Sequence, residues 1–139
     1  MQTDSEGSDS AGSAPVTILV VDDAPDMRFL ARHILESSGI QVVAEAVDGQ
    51  DAIQKFRQLS PPPIPTVILL DNQMPVMTGI EAAAEILAEY PDQLIVLFSA
   101  YLSDEIIHQA RQIGVAACVS KSDVANLPSI IEDLVAARA

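Results

Sequence analysis

The chain has 139 residues, 49% of them apolar, with twenty acidic against seven basic side chains and a formal charge of −13. That length holds one domain of roughly 100–200 residues and buries roughly two-thirds of its unfolded surface, while so negative a field repels nucleic-acid phosphates and anionic lipid and argues against direct binding to either. The single cysteine, Cys118, excludes an internal disulfide and a structural zinc site, and no apolar run reaches the ~20 residues of a membrane helix, so a soluble, cytoplasmic single domain is expected.

Residues 1–14 contain three acids, no base and nothing larger than alanine that packs well, which predicts a disordered acidic tail. From residue 15 short apolar runs alternate with longer amphipathic segments. Thr17-Ile18-Leu19-Val20-Val21 is β-branched and ends abruptly at Asp22-Asp23. Pro25 to Ser38 reads as a helix with Leu30, Ile34 and Leu35 on one face, stopped by Gly39. Val42 to Ala46 is a weaker strand. Gln50 to Leu59 is a helix with Ala52, Ile53, Phe56 and Leu59 in its stripe. Ser60-Pro61-Pro62-Pro63-Ile64-Pro65 reads as a stiff, extended connection. Thr66 to Leu70 is a strand ending at Asp71, and Gly79 to Tyr90 an Ala-rich helix closed by Pro91. Leu94 to Phe98 is a strand ending at Ser99, followed by a helix from Asp104 to Ile113. Val115 to Ser120 is a last strand ending at Lys121, and Pro128 to Ala137 a last helix. Near-continuous apolar strands alternating with helices predict a five-stranded parallel sheet, order 2-1-3-4-5, with helices on both faces. In such sheets ligands bind beyond the carboxyl ends of the strands.

Those ends carry Asp22-Asp23, Asp71, Ser99 and Lys121. Each has an ordinary reading alone: the acid pair as a helix start, Asp71 as a turn cap, Ser99 as a satisfied hydroxyl, Lys121 as a solvated cation. Together on one edge they read differently. At an effective dielectric of 20, each pair of carboxylates 4 Å apart costs on the order of 4 kcal/mol, so the cluster requires a hard divalent cation or a shared proton. Carboxylates plus water suit Mg²⁺. A carboxylate beside it can attack phosphorus and form an aspartyl phosphate, with Lys121 and Ser99 meeting the other phosphoryl oxygens.

Val20-Val21-Asp22-Asp23, the D-x-x-M-P-x-M-x-G run from Asp71 to Gly79, Ser99-Ala100 and Lys121 resemble the receiver domain of bacterial two-component response regulators, over residues 15–139. The resemblance implies that Asp22, Asp23 and Asp71 hold Mg²⁺ together with the backbone carbonyl of Gln73. It implies that Asp71 is the phosphoacceptor, served by a sensor histidine kinase or a histidine phosphotransfer protein, and that Ser99 and Lys121 contact the phosphoryl group. The protein is then a signalling domain rather than an enzyme, reading out to a downstream protein target. The face made by the fourth helix, fifth strand and fifth helix is the candidate output and homodimer surface. Met74-Pro75 and Gly79 shape the loop after the acceptor; Gly79 fits a position that needs positive φ or close backbone approach.

Three positions depart from the family's pattern. Cys118 stands where an aromatic switch residue is usual, Ser122 where proline is frequent, and Ser99 replaces the commoner threonine. The resemblance also implies that Gln73 and Tyr101 fall nearest the path of a hydrolytic water, with the Tyr101 ring expected to fold over the pocket mouth as a shield. His33 and His108 lack ligand partners, Cys118 reads as a small core residue, and Met27, Met74 and Met77 as packing. A stand-alone receiver is the leading expectation. The same pattern would be seen in a fragment of a longer DNA-binding regulator or hybrid kinase. An aspartate-nucleophile phosphatase normally has a second acid two residues after the nucleophile, where this chain has Gln73. A flavodoxin-like carrier would have a phosphate-binding loop where this chain has two acids.

Overall fold

The computed structural model describes residues 15–59 and 65–138. The acidic segment 1–14 and all of the Ser60–Pro65 stretch except Pro65 lie outside the described residues. The elements are β1 (Thr17–Val21), α1 (Pro25–Ser37), β2 (Gln41–Ala46), α2 (Gly49–Leu59), β3 (Val67–Leu70), α3 (Gly79–Glu89), β4 (Leu94–Ser99), α4 (Asp104–Ile113), β5 (Ala117–Ser120), a 3₁₀ segment (Lys121–Asn126) and α5 (Leu127–Arg138). The five strands pair in parallel in the order β2-β1-β3-β4-β5, as the alternation of elements predicts. Among the described residues no helix is long and apolar enough to cross a membrane.

The central strands β1, β3 and β4 are buried along their whole length, because helices cover both faces of the sheet. Successive side chains point to opposite faces, which divides the core in two. Leu19, Val21, Ile68, Leu70, Ile95 and Leu97 pack against Ala52, Ile53 and Phe56 of α2, the Ala82–Leu87 stripe of α3 and Ala110 of α4. Ile18, Val20, Val67, Leu69, Val96 and Phe98 pack against Ala31 and Leu35 of α1 and Leu127 and Ile131 of α5.

Helix ends follow local chemistry. Thr78 and Glu81 form a reciprocal capping box on α3, with bonds of 3.2 and 2.9 Å. Ser103 caps α4, and Gly114 closes it at φ 101°. Pro25 starts α1 at its first turn.

Four expectations are corrected. The buried stripe of α1 runs through Ala31 and Leu35, while Leu30 is 40% exposed and Phe29 stands further out; the small Ala31 lets the helix approach the sheet and turns Leu30 away. The last strand begins at Ala117, because Val115 N–H bonds back to Ala110 O to finish α4. A 3₁₀ segment precedes α5, which begins at Leu127. Cys118 is half-buried rather than internal, since β5 is an edge strand.

The loop after β3 is shaped by one close approach and one strained residue. A Cβ on Gly79 would lie 2.3 Å from Asp71 O and 2.8 Å from Asn72 Cα, so the glycine serves backbone approach; its φ is not positive. Asn72, itself buried, ties the same turn by accepting from Gly79 N–H on its carbonyl and from Ile80 N–H on Oδ1, at 3.1 and 3.0 Å. Val76 has φ 72° and is 76% exposed, a left-handed conformation that a β-branched residue adopts at a cost of roughly 1–2 kcal/mol. In urea unfolding, Gly79→Ala should lose about 1–3 kcal/mol of stability, because the clash is with backbone. Val76→Asn should gain about 1 kcal/mol, because asparagine tolerates that conformation and no packing is lost.

Candidate functional site

Strand register assembles the site. Val21 lies opposite Leu70, and Leu70 opposite Leu97, so β1 and β3 end level and their next residues, Asp22 and Asp71, emerge side by side. Asp22 N–H donates to Ala46 O at 3.1 Å and Asp71 N–H to Val21 O at 3.0 Å, which extends the ladder one step and locks both backbones. β4 runs two residues beyond Leu97, placing Ser99 past the level of Asp71, and Ser99 is opposite Ser120, the residue before Lys121.

Asp22 and Asp71 are 3% and 4% exposed, while Asp23 is solvent-facing. Among the described residues the carboxylates of these three form a group with one oxygen of each within 4.8 Å of the others. Lys121 enters between the two buried acids. Its Nζ donates to Asp71 Oδ2 at 3.1 Å and lies 2.7 Å from Asp22 Oδ2. The second contact is an ion pair without the angle of a hydrogen bond, so Asp22 Oδ2 is buried with a counter-charge but no directed donor. The opposite oxygens are held by backbone: Asp22 Oδ1 accepts from Ala24 N–H at 2.9 Å and Asp71 Oδ1 from Gln73 N–H at 3.2 Å.

The electrostatics follow from burial. Desolvation pushes the Asp71 carboxyl above the ordinary carboxylate range, with Asp22 adding to it; Lys121 and the Gln73 N–H oppose the shift without cancelling it. Burial also disfavours the Lys121 ammonium, but Asp22 and Asp71 outweigh it and hold its pKa above the usual lysine value. Lys121 is therefore a fixed positive charge, whereas Asp71 is a carboxylate held at a cost.

Ser99 is completely buried at the end of β4. Its Oγ accepts from Tyr101 N–H at 3.5 Å, the long limit of a hydrogen bond, and among the described residues no bond joins it to Asp71 or Lys121. Gln73 is exposed and touches the cluster through its N–H. Tyr101 is 61% exposed, turned to solvent rather than closed as a shield. His33 and His108 are exposed, and Met27, Met74 and Met77 pack against the core. Sequence reasoning missed Arg28, whose guanidinium reaches the Asp22 carbonyl at 2.6 Å; its position one turn into a helix that follows an acid pair was the available signal.

Hard carboxylate oxygens, one of them lacking a directed donor, fit a divalent cation that keeps several waters, as Mg²⁺ does.

A family model, described as the response regulator receiver domain, matches residues 18–132. The chemotaxis protein CheY of Thermotoga maritima (strain ATCC 43589 / DSM 3109 / JCM 10099 / NBRC 100826 / MSB8) is 33% identical over 97 residues, 70% of this chain and 78% of that protein. The protein-glutamate methylesterase/protein-glutamine glutaminase 3 of Hahella chejuensis (strain KCTC 2396) is 40% identical over 84 residues, 60% of this chain, and the match spans 23% of that longer protein. Among solved structures, a two-component response regulator of the LuxR family from Aurantimonas sp. SI85-9A1 superposes with a TM-score of 0.82 at 30% identity, covering 89% of this chain and 87% of that one.

Because the folded protein holds a proton on Asp71 more tightly than the unfolded chain does, stability drawn from this group is lost as pH rises from the unfolded carboxyl value, about 3.9, through the raised folded one. Asp71→Asn should therefore melt higher than the wild type at pH 7 in chelator. The gap should close as acid protonates the wild-type carboxyl, in melting curves recorded between pH 7 and pH 4.

Proposed function

Because this chain belongs to the response regulator receiver domain family, we propose that Asp71 accepts a phosphoryl group from a phosphohistidine of a sensor kinase or phosphotransfer protein and that the acyl phosphate changes a protein contact. The observation that carries this reading is the position of Lys121, within 3.1 Å of Asp71 and 2.7 Å of Asp22 at the end of the neighbouring strands. A fixed ammonium there meets negative charge arriving on phosphorus oxygens.

In the transfer, an Asp71 carboxylate oxygen forms a bond to phosphorus while the phosphorus–nitrogen bond to the donor imidazole breaks, and the imidazole leaves with the electron pair and takes up a proton. Burial raises the energy of the free carboxylate, and the Gln73 N–H orients the group by holding Oδ1. Asp22, Asp23, Asp71 and the Gln73 carbonyl would hold Mg²⁺, which supplies charge neutralisation for the phosphoryl oxygens. Ser99, buried and held only by a long bond, is free to rotate its hydroxyl toward a new phosphoryl oxygen.

That rotation pulls on Ala100–Ser103 and so on α4, whose Ile106, Ile107 and Ile113 are half-buried. Between α4 and β5 a cleft of about 240 Å³ is lined by Ile107, Arg111, Val115, Ala116, Ala117 and Cys118. The short Cys118 side chain has no ring to swing into it, so the response is carried by the loop and the α4 packing. With α5, this face is the proposed output and self-association surface.

Acetyl phosphate with Mg²⁺ should give a single phosphoryl adduct by intact mass, lost in Asp71→Asn and slowed in Lys121→Ala. An adduct that persists in Asp71→Asn overturns the assignment. Amide exchange in residues 99–113 should differ between the two forms.

A further inference from the structure

The acid pair is held from behind by a chain of side chains on α1 and β2. Arg28 lies on α1, with its side chain 16% exposed. Its Nη1 donates to the backbone carbonyl of Asp22 at 2.6 Å, and its Nε donates to Glu45 Oε1 at 3.2 Å. Glu45, on β2, is gripped a second time by Arg32 Nη1 at 2.6 Å, and Arg32 is also paired with Glu36 at 3.3 Å. The Glu45 carbonyl accepts from Lys55 Nζ at 3.0 Å. Glu45 is thereby fixed at both its carboxylate and its backbone, and presents a rigid anchor to Arg28.

The Asp22 carbonyl belongs to the peptide that joins Asp22 to Asp23, so its direction sets where the exposed Asp23 carboxylate points. Asp22 is otherwise fixed by its own N–H and by Oδ1. Asp23 is on the surface, and the residue beyond it, Ala24, is the N-cap of α1 and makes no side-chain capping bond. The Asp22 Oδ1–Ala24 N–H bond closes the turn around Asp23, and the guanidinium fork adds the side-chain contact that holds the carbonyl of this peptide; only arginine spans both partners at once.

We propose that Arg28, braced by Glu45, is a positioning residue that orients the Asp22–Asp23 peptide so that both carboxylates face one divalent cation. This rests on the reading of Asp22, Asp23 and Asp71 as the ligands of that cation. A second contact of this kind typically matters to metal affinity at the 10–100-fold level. A positioning role and a charge role have opposite signs here: removing a nearby positive charge by itself strengthens cation binding, whereas losing the orientation weakens it.

The test is calorimetric titration of Mg²⁺ into the full chain at fixed ionic strength, for the wild type, Arg28→Met, Arg28→Lys and Glu45→Gln, with folding checked in chelator by circular dichroism. The dissociation constant should rise on the order of tenfold in Arg28→Met. Arg28→Lys should also bind more weakly than the wild type although it keeps the charge, and Glu45→Gln should show a smaller rise. Binding in Arg28→Met that is unchanged or tighter overturns the proposal while leaving the metal reading intact; a wild type that binds no Mg²⁺ overturns both. If Arg28→Met fails to fold, Arg28→Lys and Glu45→Gln decide alone: wild-type affinity in both overturns the proposal, and weaker binding in both supports it.

Discussion

Two buried carboxylates share one ammonium, and the top of the sheet is organised around that fact. Asp22 and Asp71 leave adjacent strands at the same level and point the same way, so without a cation between them their repulsion would be on the order of several kcal/mol at these separations. Lys121 arrives from the far edge of the sheet, after β5, to supply it. The compensation is incomplete: Asp71 remains pushed toward protonation and one Asp22 oxygen has no directed donor. A site left under-compensated in this way accepts further positive charge readily, and that is what a cation- and phosphoryl-handling pocket requires.

The backbone is fitted to this arrangement at close tolerance. Gly79 brings the start of α3 onto the Asp71 carbonyl, Asn72 ties the same turn through two bonds, and Val76 is forced into a left-handed conformation to complete the loop. At Gly49 a Cβ would lie 2.8 Å from that of Met77, so the loop is also pressed against the start of α2. Rigid walls keep the Asp71 carboxyl in one orientation, and on the other side Arg28 of α1 bonds both the Asp22 carbonyl and Glu45 of β2. The α4 side, in contrast, is less constrained: Ser99 is held by one long bond and a cleft separates α4 from β5.

Much of this was legible in the residues. Five apolar runs alternating with helical segments are the local signature of a parallel sheet with its site at the carboxyl ends, and Asp22, Asp23, Asp71, Ser99 and Lys121 could be picked from the four runs that end in polar residues, because a polar residue directly after a buried strand has few places to go. The family motif added the chemistry. Helix faces were less legible: α1 offers Phe29, Leu30 and Ile34 as plausible core residues, yet the buried stripe passes through Ala31, because the distance between helix and sheet selects for size as well as apolarity.

The sequence by itself therefore determined the order of the elements, the edge on which the chemistry lies and the residue types available there, all of which follow from local periodicity and from where apolar runs stop. The tertiary structure decided which of those residues touch. That Lys121 spans Asp22 and Asp71, that Ser99 does not bond to either, that Tyr101 faces solvent and that Arg28 holds the Asp22 carbonyl depend on strand register, sheet twist and helix approach. These are set by the packing of side chains far apart in the chain, and no local pattern encodes a distance between them.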